Sequence, residues 1–126
     1  MAKTLTPKFT LTGSAADWGA ARALSVTDTL TCEAPSKGIG RVDVGAGVTT
    51  VLYADSGGDG TTFVYVKNNN TSGSGSIDLQ IDNGNYTFAT LENGEFAWIP
   101  IDSNEGLQVL GVTATVEVEY GYWHRT

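Results

Sequence analysis

Ser76-Ile77-Asp78-Leu79-Gln80-Ile81-Asp82-Asn83-Gly84-Asn85-Tyr86-Thr87-Phe88-Ala89-Thr90-Leu91 reads as a β-hairpin. Ile77, Leu79 and Ile81 alternate with Asp78, Gln80 and Asp82, which gives one apolar and one wet face, the period-two signature of a half-buried strand. Asp82-Asn83-Gly84-Asn85 then supplies the Asn-Gly pair favoured in type I′ turns, where both central residues need positive φ. Glu92-Asn93-Gly94-Glu95 repeats the device ten residues on. The expectation is two successive hairpins, a meander, with strands over 76–81, 85–91 and 95–101.

The same punctuation continues on either side. Short runs of β-branched and aromatic residues, separated by Gly, Asn, Asp and Ser, place further strands at 38–44, 49–54, 61–67, 107–111 and 114–123. In the last of these Val116, Val118 and Tyr120 oppose Glu117 and Glu119. The 61–67 run, Thr-Thr-Phe-Val-Tyr-Val-Lys, is apolar on both faces, so it belongs at the centre of a sheet or under another subunit. Pro100 lacks an N–H for a ladder, which puts its strand end at an edge or a bulge. Residues 3–11 alternate weakly through Leu5, Pro7, Phe9 and Leu11, residues 15–23 hold the one helix-favouring patch, and 24–32 look extended. The expected architecture is all-β: a single domain over 1–126, with an irregular N-terminal arm over 1–20, a short helical turn near Trp18, and an antiparallel, jelly-roll-like β-sandwich from about residue 21. No repeat of solenoid length is visible.

A chain of 126 residues can bury roughly two-thirds of its unfolded surface, so it needs neither disulfide nor metal to fold. Its 16 glycines match a fold with many tight turns. Cys32 is the one cysteine, expected as a small buried side chain in a protein made in a reducing cytoplasm. No stretch reads as a signal peptide or a membrane span, so neither export by a standard signal nor membrane insertion is expected. The sequons at Asn69, Asn70 and Asn85 matter only in a secretory compartment.

A net charge of −7 opposes binding to nucleic acid, whose phosphates call for a basic patch. The charge is uneven: residues 1–41 carry five basic and three acidic side chains, residues 42–126 two basic and eleven acidic. That asymmetry fits an N-terminal region docking on an acidic partner while an acidic body faces solvent.

Catalytic chemistry finds little to use. The one histidine, His124, stands near the C-terminus, a poor place for a rigid general base, and no nucleophile elbow surrounds Ser14, Ser25 or Cys32. The carboxylate pairs Glu92 with Glu95 and Glu117 with Glu119 read as solvent-facing acids rather than a glycosidase pair. Asp55-Ser56-Gly57-Gly58-Asp59-Gly60 lacks the ligand order of a calcium loop. Gly38-Ile39-Gly40 and Gly45-Ala46-Gly47 have no following lysine to cradle a phosphate. The expectation is no enzyme, no cofactor and no metal. The aromatic residues read as core or subunit interface rather than as a sugar-stacking platform.

Three motifs carry a resemblance: Phe63-Val64-Tyr65-Val66-Lys67-Asn68; then Leu91-Glu92-Asn93-Gly94-Glu95-Phe96-Ala97-Trp98-Ile99-Pro100-Ile101; then Val116-Glu117-Val118-Glu119-Tyr120-Gly121. Over residues 50–122 this pattern resembles small virion proteins of tailed phages and is similar to capsid decoration, or cement, proteins. The resemblance implies a compact β-sandwich, a homo-oligomer with a trimer favoured, and the major capsid protein as partner, with the outer capsid surface of the virion as the location. No nucleic acid or membrane partner is implied. Lys3, Lys8 and Phe9 are then expected at the shell and Tyr120, Tyr122 and Trp123 at the oligomer interface. The alternatives are a tail, neck or head-fibre base component, or a carbohydrate-binding module stacking sugars on Trp98 or Trp18 with calcium at Asp55 and Asp59. A small glycosidase stands behind these.

Overall fold

The structure is a computed structural model that describes residues 3–13, 22–54, 59–82, 85–102 and 104–125. Among these there is no helix. The strands are β1 (Lys3–Leu5), β2 (Lys8–Gly13), β3 (Arg22–Thr27), β4 (Leu30–Val44), β5 (Thr49–Tyr53), β6 (Thr61–Asn68), β7 (Ser76–Ile81), β8 (Tyr86–Leu91), β9 (Phe96–Asp102), β10 (Leu107–Val112) and β11 (Val116–Arg125). The chain divides into two compact units, Met1–Cys32 and Glu33–Thr126.

The second unit is the antiparallel sandwich that the sequence patterning implies. One sheet runs β4-β11-β6-β9 and the other β5-β10-β7-β8. Alternation puts every second side chain inward, and the two sheets meet in a core of Val44, Leu52, Tyr53, Val64, Val66, Ile77, Leu79, Leu91, Ile101, Leu107, Val109, Val116 and Val118. β6 lies between β11 and β9, as its two apolar faces require, and β9, which carries Pro100, is an edge strand. β4 bulges twice against β11, at the skipped residues Gly38–Ile39 and Ala34–Pro35; a bulge is where a strand accommodates a proline. Gly111 is fixed by close approach. A Cβ there would run into the Gly45 carbonyl oxygen, beside the bonds from the Gly47 N–H to the Gly111 oxygen at 2.8 Å and from the Gly111 N–H to the Val48 oxygen at 3.0 Å.

The meander forms only in part. β7 and β8 pair as a hairpin, Ile77 opposite Leu91 and Ile81 opposite Tyr86. Asn85, at the end of their turn, has φ 54; Asn83 and Gly84 lie outside the described residues. The second turn does not make a hairpin, because β9 pairs with β6 rather than β8. Glu92–Glu95 instead arches from one sheet to the other, with Gly94 at φ 78 and the Glu95 N–H on the Glu92 oxygen at 3.0 Å. Its anchor is Asn68, whose backbone accepts from the Gly94 N–H at 2.9 Å and donates to the Glu95 oxygen at 3.0 Å. Local turn chemistry is the same in both places, and the tertiary partner decides between hairpin and arch.

The first unit is more regular than the expected arm. β1 pairs with the start of β4, Lys3 opposite Cys32 and Leu5 opposite Leu30, and Leu30 and Cys32 are buried. β2 and β3 form a two-stranded antiparallel ribbon, Lys8 opposite Thr27 through Gly13 opposite Arg22. Its open end is tied by the Asp28 N–H on the Pro7 oxygen at 3.2 Å. The structural boundary therefore falls after Cys32 instead of near residue 20. The expected helical turn near Trp18 lies outside the described residues, while Arg22 and Ala23, assigned to the same patch, are in β3.

Candidate functional site

The ribbon is amphipathic by register. Phe9 stands opposite Val26 and Leu11 opposite Leu24; with side chains alternating along each strand, all four project from one face. They are 45%, 52%, 56% and 48% exposed in that order, so among the described residues nothing covers this apolar face. Lys8, Thr10, Ser25 and Thr27 occupy the opposite face. Of the residues expected at a shell, Phe9 is thus on the apolar face, Lys8 on the polar face, and Lys3 on β1. Leu11, Leu24 and Val26 complete the patch and were not singled out from the sequence, although the alternation in Phe-Thr-Leu and Leu-Ser-Val carries the signal.

The residues expected at an oligomer interface also separate. Tyr120 and Tyr122 pack against the sandwich core, the Tyr122 ring 5.0 Å from that of Tyr53. Lys37 Nζ donates to the Tyr120 hydroxyl at 2.6 Å and lies 4.3 Å from the ring centroid. Trp123, one step along the strand, turns to the outer face beside Phe63 of β6. There the Trp98 ring lies 5.6 Å from Phe63 and 5.6 Å from Trp123, and the Arg125 guanidinium covers Phe63 at 5.2 Å. The apolar outer face of β6 is therefore roofed by rings of the same chain. Gly121 makes room for this, since a Cβ there would come within 2.9 Å of the Trp123 indole.

Next to the aromatic stripe is a polar network. Tyr65 donates to Glu119 Oε1 at 2.9 Å; Arg41 reaches Glu119 Oε2 and Glu117 Oε1, each at 3.3 Å; Asn69 Nδ2 donates to Glu117 Oε1 at 2.6 Å. Burial, with the hydrogen bond and negative charge of Glu119, pushes the Tyr65 hydroxyl up to about 12. The Glu117 and Glu119 pair is thus engaged in a surface network, and Glu92 and Glu95 shape the arch, the Glu92 N–H bonding Glu95 Oε2 at 2.8 Å.

Buried polar groups are held structurally. Asn68, fully buried, donates from Nδ2 to the Gly75 and Leu91 oxygens at 3.1 Å each and accepts from the Asn70 N–H at 3.1 Å. Gln108 Nε2 bonds Gln80 Oε1 at 2.9 Å and Asn85 Oδ1 at 2.6 Å. His124 is not at a frayed end but buried in β11, Nδ1 3.2 Å from Thr62 Oγ1, which in turn lies 2.9 Å from the Tyr53 hydroxyl. Sequence reasoning placed His124 as loosely held; the pairing of β11 with β6 through Arg125 is what fixes it. All three side chains of this cluster are buried. Among the described residues no group of three His, Cys, Asp or Glu side chains could hold a metal ion, and no helix is long and apolar enough to cross a membrane. Residues 55–58 lie outside the described residues.

No family model matches the sequence, and no curated protein matches it. A solved structure from "Bacillus endospore appendages form a novel family of disulfide-linked pili" is similar at TM-score 0.43 and 19% identity, over 75% of this chain and 94% of that one, a likeness too distant to bear on function. What the fold defines is a class: a two-sheet antiparallel β-sandwich preceded by a small β unit with a half-exposed apolar ribbon.

Proposed function

We propose that the chain is a non-catalytic structural subunit of a multi-copy assembly, and that it decorates a phage capsid as an oligomer seated on the outer surface of the major capsid protein shell. The observation that carries the reading is the β2–β3 ribbon, four half-exposed apolar side chains on one face of a two-stranded element. Such an element is marginal in water on its own, and an apolar face of this kind marks a contact with another protein. The polar side chains described above serve caps, arches and ion pairs within the fold, which suits a protein that works by shape and contact. The capsid is the place implied by the Tyr65-Val66-Lys67-Asn68, Leu91–Ile101 and Val116–Gly121 motifs.

Mixing the purified protein with mature, undecorated capsids and counting bound copies by cryo-electron microscopy tests the proposal. Regular occupancy of equivalent shell sites is the expected result. Capsids that stay bare at saturating protein would overturn the capsid assignment.

A further inference from the structure

The ribbon's apolar face needs a partner of defined chemistry, and two features of the sandwich unit match it. The first is the free edge of β8. Among the described residues this strand pairs only with β7, and its six residues, Tyr-Thr-Phe-Ala-Thr-Leu, include neither a charge nor a proline. Tyr86 and Phe88 are 71% and 41% exposed. Edge strands are normally kept from pairing by charge, proline or shortness. β9 shows that protection, with Pro100 in the strand and Glu95 and Asp102 at its ends; β8 has neither charge nor proline within the strand, and bulges against β7 at Phe88.

The second feature is charge. The sheet β5-β10-β7-β8 contains no lysine or arginine, and Asp78, Asp82 and Glu92 lie in or beside β7 and β8. The ribbon strands Lys8–Gly13 and Arg22–Thr27 contain no acid, and each begins with a cation. Across the whole chain, Met1–Cys32 carries three basic and two acidic side chains, Glu33–Thr126 four basic and twelve acidic. Two β8 edges brought together would set carboxylates against carboxylates, and two ribbons would set cations against cations. A ribbon against a β8 edge pairs opposite charges and covers apolar surface on both sides.

We propose that the β2–β3 ribbon of one copy docks on the β8 edge of a second copy, Phe9, Leu11, Leu24 and Val26 covering Tyr86 and Phe88 while a ribbon that carries cations and no acid lies beside the carboxylates of Asp78, Asp82 and Glu92. The inference rests on the reading of the chain as a multi-copy structural subunit and names one of its contacts. Because the two surfaces differ, the contact is head-to-tail. Each copy that gives its ribbon still presents its own β8, so copies add until a ring closes or a chain grows.

Complementation of two variants tests it. Leu11→Glu with Leu24→Glu disables the ribbon and Tyr86→Glu with Phe88→Glu disables the edge; all four positions are exposed, and circular dichroism with thermal melting confirms that each variant is folded. In sedimentation, wild type is expected above monomer mass and each variant at monomer mass. The 1:1 mixture of variants is expected at dimer mass and no higher, because one intact ribbon meets one intact edge. Carbodiimide cross-linking of mixed light and ¹⁵N-labelled wild type is expected to join Lys8 of one isotope to Asp78, Asp82 or Glu92 of the other. A mixture that stays monomeric, a ribbon variant that still assembles, or Lys8 cross-links found only within one chain overturns the contact. Monomeric wild type that nonetheless coats undecorated capsids overturns the ribbon–edge contact and leaves the decoration reading standing. Assembly without capsid binding keeps the contact and overturns that reading.

Discussion

β7 and β2 are written alike and end differently. Both are six-residue strands of alternating apolar and polar side chains. In β7, Ile77 and Leu79 are fully buried between two sheets; in β2, Phe9 and Leu11 stand about half in water. Strand formation needs only the period-two pattern and one neighbour, whereas burial needs a second layer, and the second unit supplies that layer from its own chain. The first unit offers β2 one neighbour, β3, and no layer above it among the described residues. The comparison therefore separates what a strand's sequence dictates, its faces, from what only its surroundings dictate, its cover.

The largest effect should come from the buried side of the comparison. Leu79→Ala removes a fully buried side chain from the centre of the sandwich core, and urea denaturation should show a loss of about 3 kcal/mol. A loss below about 1 kcal/mol would mean that the inter-sheet space collapses freely around the gap and that β7 is less enclosed than described. Asn68→Ala comes next. It strips three hydrogen bonds from a buried site and leaves the Gly75 and Leu91 oxygens to find other partners, which should cost roughly 2 kcal/mol. The loss should fall locally as well, with faster amide exchange at Gly94 and Glu95, whose backbones bond Asn68. Unchanged exchange there would show that the Asn68 backbone holds the arch without help from its side chain.

Most of the sandwich was legible from period two alone. The 76–81 strand has the boundaries the alternation implies, and those at 61–67, 85–91, 95–101 and 107–111 differ by a residue at their ends. The pairing was less legible. Glu92-Asn93-Gly94-Glu95 carries the same turn signal as Asp82-Asn83-Gly84-Asn85, and nothing local distinguishes an arch from a hairpin; Asn68, 24 residues upstream of Glu92, makes the choice. Trp123, expected at an oligomer interface, stands near the end of β11. Its cover comes from Trp98 on another strand, a contact that depends on β9 joining β6. The ribbon is less legible for the opposite reason: its alternation is present in the sequence, but each strand has only two large apolar residues on the face, and residues 14–21 between the strands carry no turn signature.

The outer face of the sandwich offers a pH test between these extremes of burial. Tyr65, half-buried at the edge of the ring stripe, titrates at about 12 instead of the ordinary 10.0 because it is desolvated and bonded to Glu119. A group whose folded pKa is raised contributes stability that is whole below pH 10 and is lost as pH climbs through 12. The melting temperature should fall across that window, and an ultraviolet titration should show Tyr65 ionising at about 12. Glu119→Gln removes the charge while keeping an acceptor, so Tyr65 should ionise earlier and the decline between pH 10 and 12 should flatten. A profile unchanged by Glu119→Gln would assign the shift to burial alone.

The smallest effect in dilute solution should come from the ribbon itself. Leu11→Ala shortens the same side chain as Leu79→Ala, on a strand of the same length and pattern, but from a position 56% exposed. Little apolar surface is returned to water by the change, so the loss of stability should stay within about 0.5 kcal/mol. Raising the protein concentration should alter this result and leave that of Leu79→Ala unchanged. As copies cover one another's ribbons, the amides of β2 and β3 should gain protection from exchange in wild type, and the gap between wild type and Leu11→Ala should widen with concentration. A gap of several kcal/mol already present at high dilution would mean that the ribbon face is buried within a single chain, and the contrast between β2 and β7 would then be one of degree.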